Sequence, residues 1–339
     1  MRALNIHGVD DVRLDPKARV VAAPGDAVVR IRACGICGSD LSYIKWGGIG
    51  RPEGGVTPIG HEAAGEIVAL GEGVEGLEVG QRVIINPMNT PSFIGSGGPE
   101  GAFADEVRVA AARAGDSLLP IPDGLPYDIA ALAEPLAVAL HGINRLAARA
   151  GEKIVVFGCG PIGLGMVLWL ADRGVTDIVA VDLAEERLAR ARSFGASATI
   201  CAAHENVAER LMEIHGAHDY FGTPRSNSDG YIDAAGGGTI IADVVRIAKY
   251  HARLVVTASY GRAVDLDIGG MLVSELTITT AMGYPTEMPE VVAALPRLAG
   301  KLAALISHSF AFDDILEGLR VASTPQSAKV MVTFAGDPK

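Results

Sequence analysis

No basic run occurs anywhere in the 339 residues, where 29 Lys and Arg stand against 40 Asp and Glu for a net charge of −11. Nucleic acid and anionic membrane are therefore poor partners, because both are held chiefly by clustered cations. Long apolar stretches are also missing. The longest, Ile162 to Ala171, is about half of the ~20 residues needed to cross a bilayer. Met1 to His7 lacks the apolar core of a secretory leader. Four cysteines are too few for a disulfide framework, so a reducing, cytoplasmic setting is the expectation. Internal repeats and low-complexity tracts are absent as well.

What remains is an ordinary globular composition, with 49% hydrophobic and 20% charged residues, in a chain long enough for two domains. The 42 glycines suit many tight turns. Up to about residue 130 the pattern is one of short strands, with alternation over Ala27–Arg32 and Gly65–Leu70 and glycine turns such as Gly71-Glu72-Gly73. That reads as a β-rich, barrel-like region. Helical spacing then takes over from Asp128 to Ala150, with Glu134-Pro135 expected to end one helix and begin the next.

From Lys153 on, strands and helices alternate. The expected strands are Lys153–Phe157, Ile178–Asp182, Gly230–Ala234, Arg253–Thr257 and Leu276–Thr279. The expected helices are Ala184–Phe194, Val207–His215 and Ile240–Tyr250. Such alternation predicts a doubly wound parallel sheet, and hence an α/β fold class. The polar stretch His218–Gly230 reads as an exposed inserted loop, and Ala328–Phe334 as a closing strand.

Two constellations carry chemistry. The first is Gly35-Ile36-Cys37-Gly38-Ser39-Asp40, followed about two dozen residues later by Gly60-His61-Glu62. Thiolate, imidazole and carboxylate are zinc ligands, and three protein ligands with one open position make a catalytic rather than a structural site. A zinc ion there acts as a Lewis acid on an oxygen bound at the open position. Glu134 is a candidate fourth ligand, direct or through water, and Ser39, two residues from Cys37, a candidate to receive a substrate proton. Ser39 as a helix cap and Glu134 as a first-turn helix acid are the bland readings of those two residues. Cys34 has no second Cys-x-x-Cys to answer it and reads as a buried small residue.

The second is Gly158-Cys159-Gly160-Pro161-Ile162-Gly163, directly after an expected strand and opening an expected helix. The three glycines serve a tight turn, close approach of a pyrophosphate and helix–strand packing, and the helix N-terminus faces the phosphates. Asp182 ends the next strand about 20 residues on, where an acid binds the ribose hydroxyls. A carboxylate there repels a 2′-phosphate, so NAD is expected over NADP. Arg187 is either a residue lying over the adenosine or a solvated helix residue.

These motifs, with Gly60–Gly65, Val79–Val83, Gly101–Glu106 and Ala133–Ala139, run over nearly the whole chain. Through them the sequence resembles the zinc-dependent medium-chain dehydrogenases, and within these the polyol branch of sorbitol, threonine and L-idonate 5-dehydrogenases. Asn86-Pro87, Phe93–Ser96 and Tyr43 with Gly47–Gly50 are most similar to the L-idonate branch.

The resemblance implies a GroES-like catalytic domain from residues 1–134 and 290–339, with a Rossmann NAD-binding domain from 135–289 between. It implies catalytic zinc on Cys37, His61 and Glu62, with Glu134 as ligand or holder of a ligand water. It also implies a proton relay starting at Ser39, a substrate pocket lined by Tyr43 and Phe93, and a homo-oligomer, dimer or tetramer. Two departures stand out. The family's four-cysteine structural zinc lobe is missing, since 87–92 reads Pro-Met-Asn-Thr-Pro-Ser, so one catalytic zinc per chain is expected. The usual relay histidine is replaced by Ser42, so the proton must leave by water or the ribose. A zinc-independent NADPH-dependent reductase of quinones or enones, and a non-enzymatic dinucleotide-binding protein, stay open as alternatives.

Overall fold

The computed structural model describes residues 1–50, 55–220 and 222–335. The chain divides into two compact units, Met1–Glu134 with Pro285–Lys339, and Pro135–Tyr284. Among the described residues no helix is long and apolar enough to cross a membrane.

The first unit is built on the strand Ala27–Ile36. It pairs antiparallel with Glu62–Leu70 on one side and with Lys329–Thr333 on the other. Ile306–Ala311, Arg82–Ile85 and Leu118–Pro120 extend the same sheet. Apolar alternation buries Val29, Ile31, Ile67, Val83 and Val332 in one core with Leu4, Ile6 and Phe103. Cys34 lies in that core, as expected of a small buried side chain. The β-rich expectation holds here, and the late strand Lys329–Thr333 delivers its residues to the centre of an early sheet.

The second unit carries a parallel sheet whose strands run, across it, Ala198–Cys201, Asp177–Asp182, Lys153–Phe157, Gly230–Asp233, Arg253–Val256 and Thr277–Thr280. Numbered in chain order these are 3-2-1-4-5-6, the doubly wound arrangement of a Rossmann fold, with its switch point beside the first strand. Ala198–Cys201 was not anticipated from sequence; it is four residues long, and its first two are only partly buried.

Two further expectations give way. The helix break falls at Leu132, between Tyr127–Ala131 and Ala133–Leu146, so Glu134-Pro135 sits inside the first turn of the second helix. Proline is tolerated there because a first-turn N–H has no intrahelical partner to lose. The polar stretch from 218 is no plain exposed loop. Ala217–Tyr220 and Thr223–Ser226 pair as an antiparallel hairpin. Arg225, Ser226 and Ser228 are buried, with the Arg225 guanidinium donating to the Ala248 carbonyl at 2.8 Å. The Ser228 hydroxyl lies 2.7 Å from His215 Nδ1 and 2.8 Å from the Ser226 hydroxyl. Polar residues read as solvated in sequence thus satisfy one another inside.

Candidate active site

Cys37 is the N-cap of the helix Gly38–Trp46, which starts where the strand Ala27–Ile36 ends. His61 immediately precedes the neighbouring strand Glu62–Leu70, whose Glu62 is the register partner of Gly35. The three donor-type atoms of Cys37, His61 and Glu62 lie within 4.8 Å of one another. His61 and Glu62 are buried and Cys37 is partly exposed. Gly35 makes this possible: a Cβ there would sit 2.0 Å from Glu62 Oε2.

Two residues that the sequence reading did not single out lock the cluster. Asp40, fully buried, accepts the Cys37 N–H at 2.9 Å and the Gly60 N–H at 3.1 Å. It therefore ties the two halves of the motif together. Its carboxylate also stands 3.6 Å from His61 Nδ1, a buried atom with no hydrogen-bond partner among the described residues. Lys329, 1% exposed, donates to both Glu62 oxygens at 2.6 Å and to the Ile36 carbonyl at 3.0 Å. Asp40 was visible in the Gly35–Asp40 motif. A single lysine at the start of an apolar closing strand is the only sequence trace of Lys329.

The electrostatics are those of a shielded anionic pocket. Burial pushes the Asp40 pKa up, with His61 and the Cys37 N–H working against it. Burial also opposes a charge on His61, yet Asp40, Cys37 and Glu134 outweigh it and hold the imidazole pKa well above its ordinary value. Glu134, also buried, acts on Lys329 as well, although it lies outside the 4.8 Å cluster.

Of the other expected residues, Ser39 lies partly buried in the first turn of the Cys37-capped helix. It is one position past the helix start, so it does not cap that helix. The Ser42 hydroxyl is spent on the Gly38 carbonyl at 3.1 Å. Tyr43 follows on the same helix, its ring 5.9 Å from that of Trp46. Phe93 is 61% exposed at φ 43°, a backbone region costly for a residue other than glycine. Its turn packs on the strand entering the site, for Ile59 bridges Ser96 and a Cβ on Gly95 would meet the Gly60 carbonyl at 2.1 Å.

In the second unit the glycine turn has the form the motif requires. Gly158 has φ 90°, and a Cβ on Gly163 would lie 1.7 Å from the Gly158 carbonyl. A Cβ on Gly160 would meet nothing within 4 Å, leaving its face open. Pro161 begins the helix Pro161–Asp172, so Ile162 and Gly163 fall in its first turn. Asp182 closes its strand, accepts the Cys159 N–H at 2.7 Å and the Ala184 N–H at 2.9 Å, and so holds the turn directly. The Cys159 thiol is pushed up to about 12 by burial and then by Asp182, with Arg187 pulling the other way.

The sequence pattern of the alcohol dehydrogenase GroES-like domain matches residues 23–123, and that of the zinc-binding dehydrogenase matches 161–297. (R,R)-Butanediol dehydrogenase of Bacillus subtilis (strain 168) is 28% identical, with 94% of each chain covered. Sorbitol dehydrogenase of Rattus norvegicus is 27% identical over 97% of this chain and 95% of the relative. The crystal structure of 2R,3R-butanediol dehydrogenase from Bacillus subtilis superposes with a TM-score of 0.85 at 28% identity, over 98% of this chain and 99% of that one. A GroES-like unit followed by a Rossmann sheet defines a medium-chain dehydrogenase fold. The chain belongs to the zinc-type medium-chain polyol dehydrogenase family, and so to the oxidoreductases acting on CH–OH donors.

The cluster fits the zinc that this family implies. Its donors are sulfur, nitrogen and oxygen, the mixed set zinc favours. Without a metal, Lys329 and a protonated His61 stand against the carboxylates of Asp40, Glu62 and Glu134; a metal needs the imidazole neutral, and that leaves two negative charges uncompensated. A divalent cation cancels that surplus. A carboxylate has lone pairs to spare, so Glu62 can accept from Lys329 and still offer one to a metal.

Proposed function

We propose that the protein is an NAD-dependent, single-site zinc alcohol dehydrogenase that removes hydride from a secondary hydroxyl of a polyol or sugar acid, in the manner of L-idonate 5-dehydrogenase. The observation that carries the reading is the convergence of Cys37, His61 and Glu62 within 4.8 Å in a buried, net-anionic pocket. Zinc there supplies the Lewis acid that makes a hydroxyl more acidic, and NAD supplies the hydride acceptor.

Cys37, His61 and Glu62 hold the ion, and Glu134 joins them directly or through a water. Asp40 and Lys329 hold the holders, which fixes the donor geometry before substrate arrives. The Ser39 hydroxyl takes the substrate proton. Ser42, occupied by Gly38, passes it no further, so the proton leaves through water or a ribose hydroxyl. Gly160, Ile162 and Gly163 present backbone N–H groups and open space to the pyrophosphate, while Gly158, its own N–H spent on the Val181 carbonyl, makes the turn and Pro161 starts the helix. Asp182 accepts from the ribose hydroxyls and disfavours a 2′-phosphate, and Arg187 lies along the adenosine. Tyr43 and Phe93 line the substrate side. The four cysteines are free thiols, which suits a reducing cytoplasmic setting. The working form in this reading is a homo-oligomer, and the exposed Leu272 and Met282 are apolar surface that a second copy would cover.

A rate survey tests the reading. With NAD, purified enzyme is expected to oxidise polyols and aldonates faster than simple primary alcohols, and to prefer NAD to NADP by at least about tenfold, roughly 1.4 kcal/mol. Strong turnover of simple alcohols with none on hydroxylated substrates would overturn the substrate class. Preference for NADP would overturn the role given to Asp182.

A further inference from the structure

We infer that Glu185, Cys201 and His204 form a second metal site, for a zinc-class divalent cation, at the carboxyl edge of the Rossmann sheet. One donor atom from each lies within 4.8 Å of the other two. A thiol, an imidazole and a carboxylate together suit Zn²⁺ or Co²⁺, whereas Mg²⁺ and Ca²⁺ demand oxygen throughout. The cluster uses none of the positions of the family's missing cysteine lobe, on which the expectation of a single metal rested.

Both walls of the site are built without help from a metal. Cys201 ends its strand and is the register partner of Asp182 on the next. The turn after it is closed by His204 N–H and Glu205 N–H, which donate to the Cys201 carbonyl at 3.2 and 2.9 Å. Glu205 accepts the Cys201 N–H at 2.7 Å and is braced by Arg210 at 3.0 Å, so that carboxylate is spent on the turn. This Cys-x-x-His turn puts thiol and imidazole on the same side. Glu185 opens the facing helix, behind an Ala184 N–H that Asp182 fixes at 2.9 Å. The two walls thus hang from the ends of adjacent strands.

The bland reading is a surface His–Glu pair beside a buried cysteine. The His204 Nε2 to Glu185 Oε1 distance of 3.5 Å is too long for a good hydrogen bond. It leaves both groups with capacity for a third party, and Cys201 Sγ stands beside them, 3.5 Å from the Leu183 carbonyl. The imidazole and carboxylate are 62% and 58% exposed, which leaves the fourth position to water and makes the ion exchangeable. An ion there would clamp the Leu183–Glu185 turn to the Cys201–His204 turn, next to Asp182. The inference does not depend on the proposed dehydrogenase reading.

The test uses full-length protein stripped with chelator and titrated with Co²⁺, followed by cobalt absorption. Cys37→Ser, which removes the first site's sulfur, is expected to bind one equivalent with a sulfur-to-cobalt charge-transfer band. Adding Cys201→Ser should abolish that band. Adding His204→Gln instead, at an exposed position unable to disturb the core, should weaken cobalt binding at least about tenfold. His204→Gln alone should leave alcohol oxidation at the wild-type rate. No sulfur–cobalt band in Cys37→Ser, or unchanged affinity on adding His204→Gln, would overturn the site. Neither result touches the first site, which is read from the equivalent that wild type binds and Cys37→Ser does not.

Discussion

Lys329→Met is expected to cost the metal-free catalytic unit about 3–5 kcal/mol, the penalty for stranding a buried charge. The Glu62 side chain is 1% exposed and that of Lys329 2%, with both carboxylate oxygens 2.6 Å from the ammonium. Methionine fills the volume but removes the ammonium that both Glu62 oxygens accept from, leaving that carboxylate beside Asp40 and Glu134. The chain can escape only by protonating a carboxylate or opening the pocket to water. Zinc offers the same carboxylate another partner, so zinc-loaded Lys329→Met should lose clearly less stability than the stripped form. Glu62→Gln added to Lys329→Met removes the stranded charge and should restore part of the loss. Denaturant midpoints of wild type and the two variants, stripped and loaded, check this. A Lys329→Met protein as stable as wild type in both states would show that the pair is dispensable.

Asp40→Asn should lower zinc affinity by about 10- to 100-fold, the usual effect of losing a group that orients a ligand. The carboxylate now accepts from Cys37 on one oxygen and Gly60 on the other. An amide has a single accepting oxygen, so one of those N–H groups meets an NH₂ instead. That mismatch costs about 1–3 kcal/mol and lets the Cys37 and His61 segments drift apart. Competition for zinc against a chromophoric chelator measures the change. Unchanged affinity would mean that Cys37 and His61 are positioned by the sheet alone.

Asp40 and Lys329 also mark how far the sequence could be read. The Gly158–Gly163 turn and Asp182 were legible because strand, turn, helix and acid are contiguous and each carries a local signature. Cys37, His61 and Glu62 were legible as a group through the motifs around them. Lys329 was not, since its partner Glu62 stands 267 residues away and the pairing exists only because the closing strand lies beside Ala27–Ile36. The strand Ala198–Cys201 escaped notice because four residues carry too little periodicity. The hairpin from Ala217 escaped for the opposite reason: its polar residues signal solvent, and only the fold shows Arg225 and Ser226 buried against their own partners. Long-range electrostatics and polar satisfaction are what single-sequence patterns do not encode.

Metal content per chain in wild type and Cys37→Ser, with alcohol turnover on the same samples, decides whether Cys37 anchors a catalytic zinc. The account predicts one zinc fewer in the variant and a fall in turnover of at least about 10³-fold, roughly 4 kcal/mol of lost transition-state stabilisation. Equal zinc in both proteins, or full turnover in a Cys37→Ser protein lacking that zinc, would contradict it.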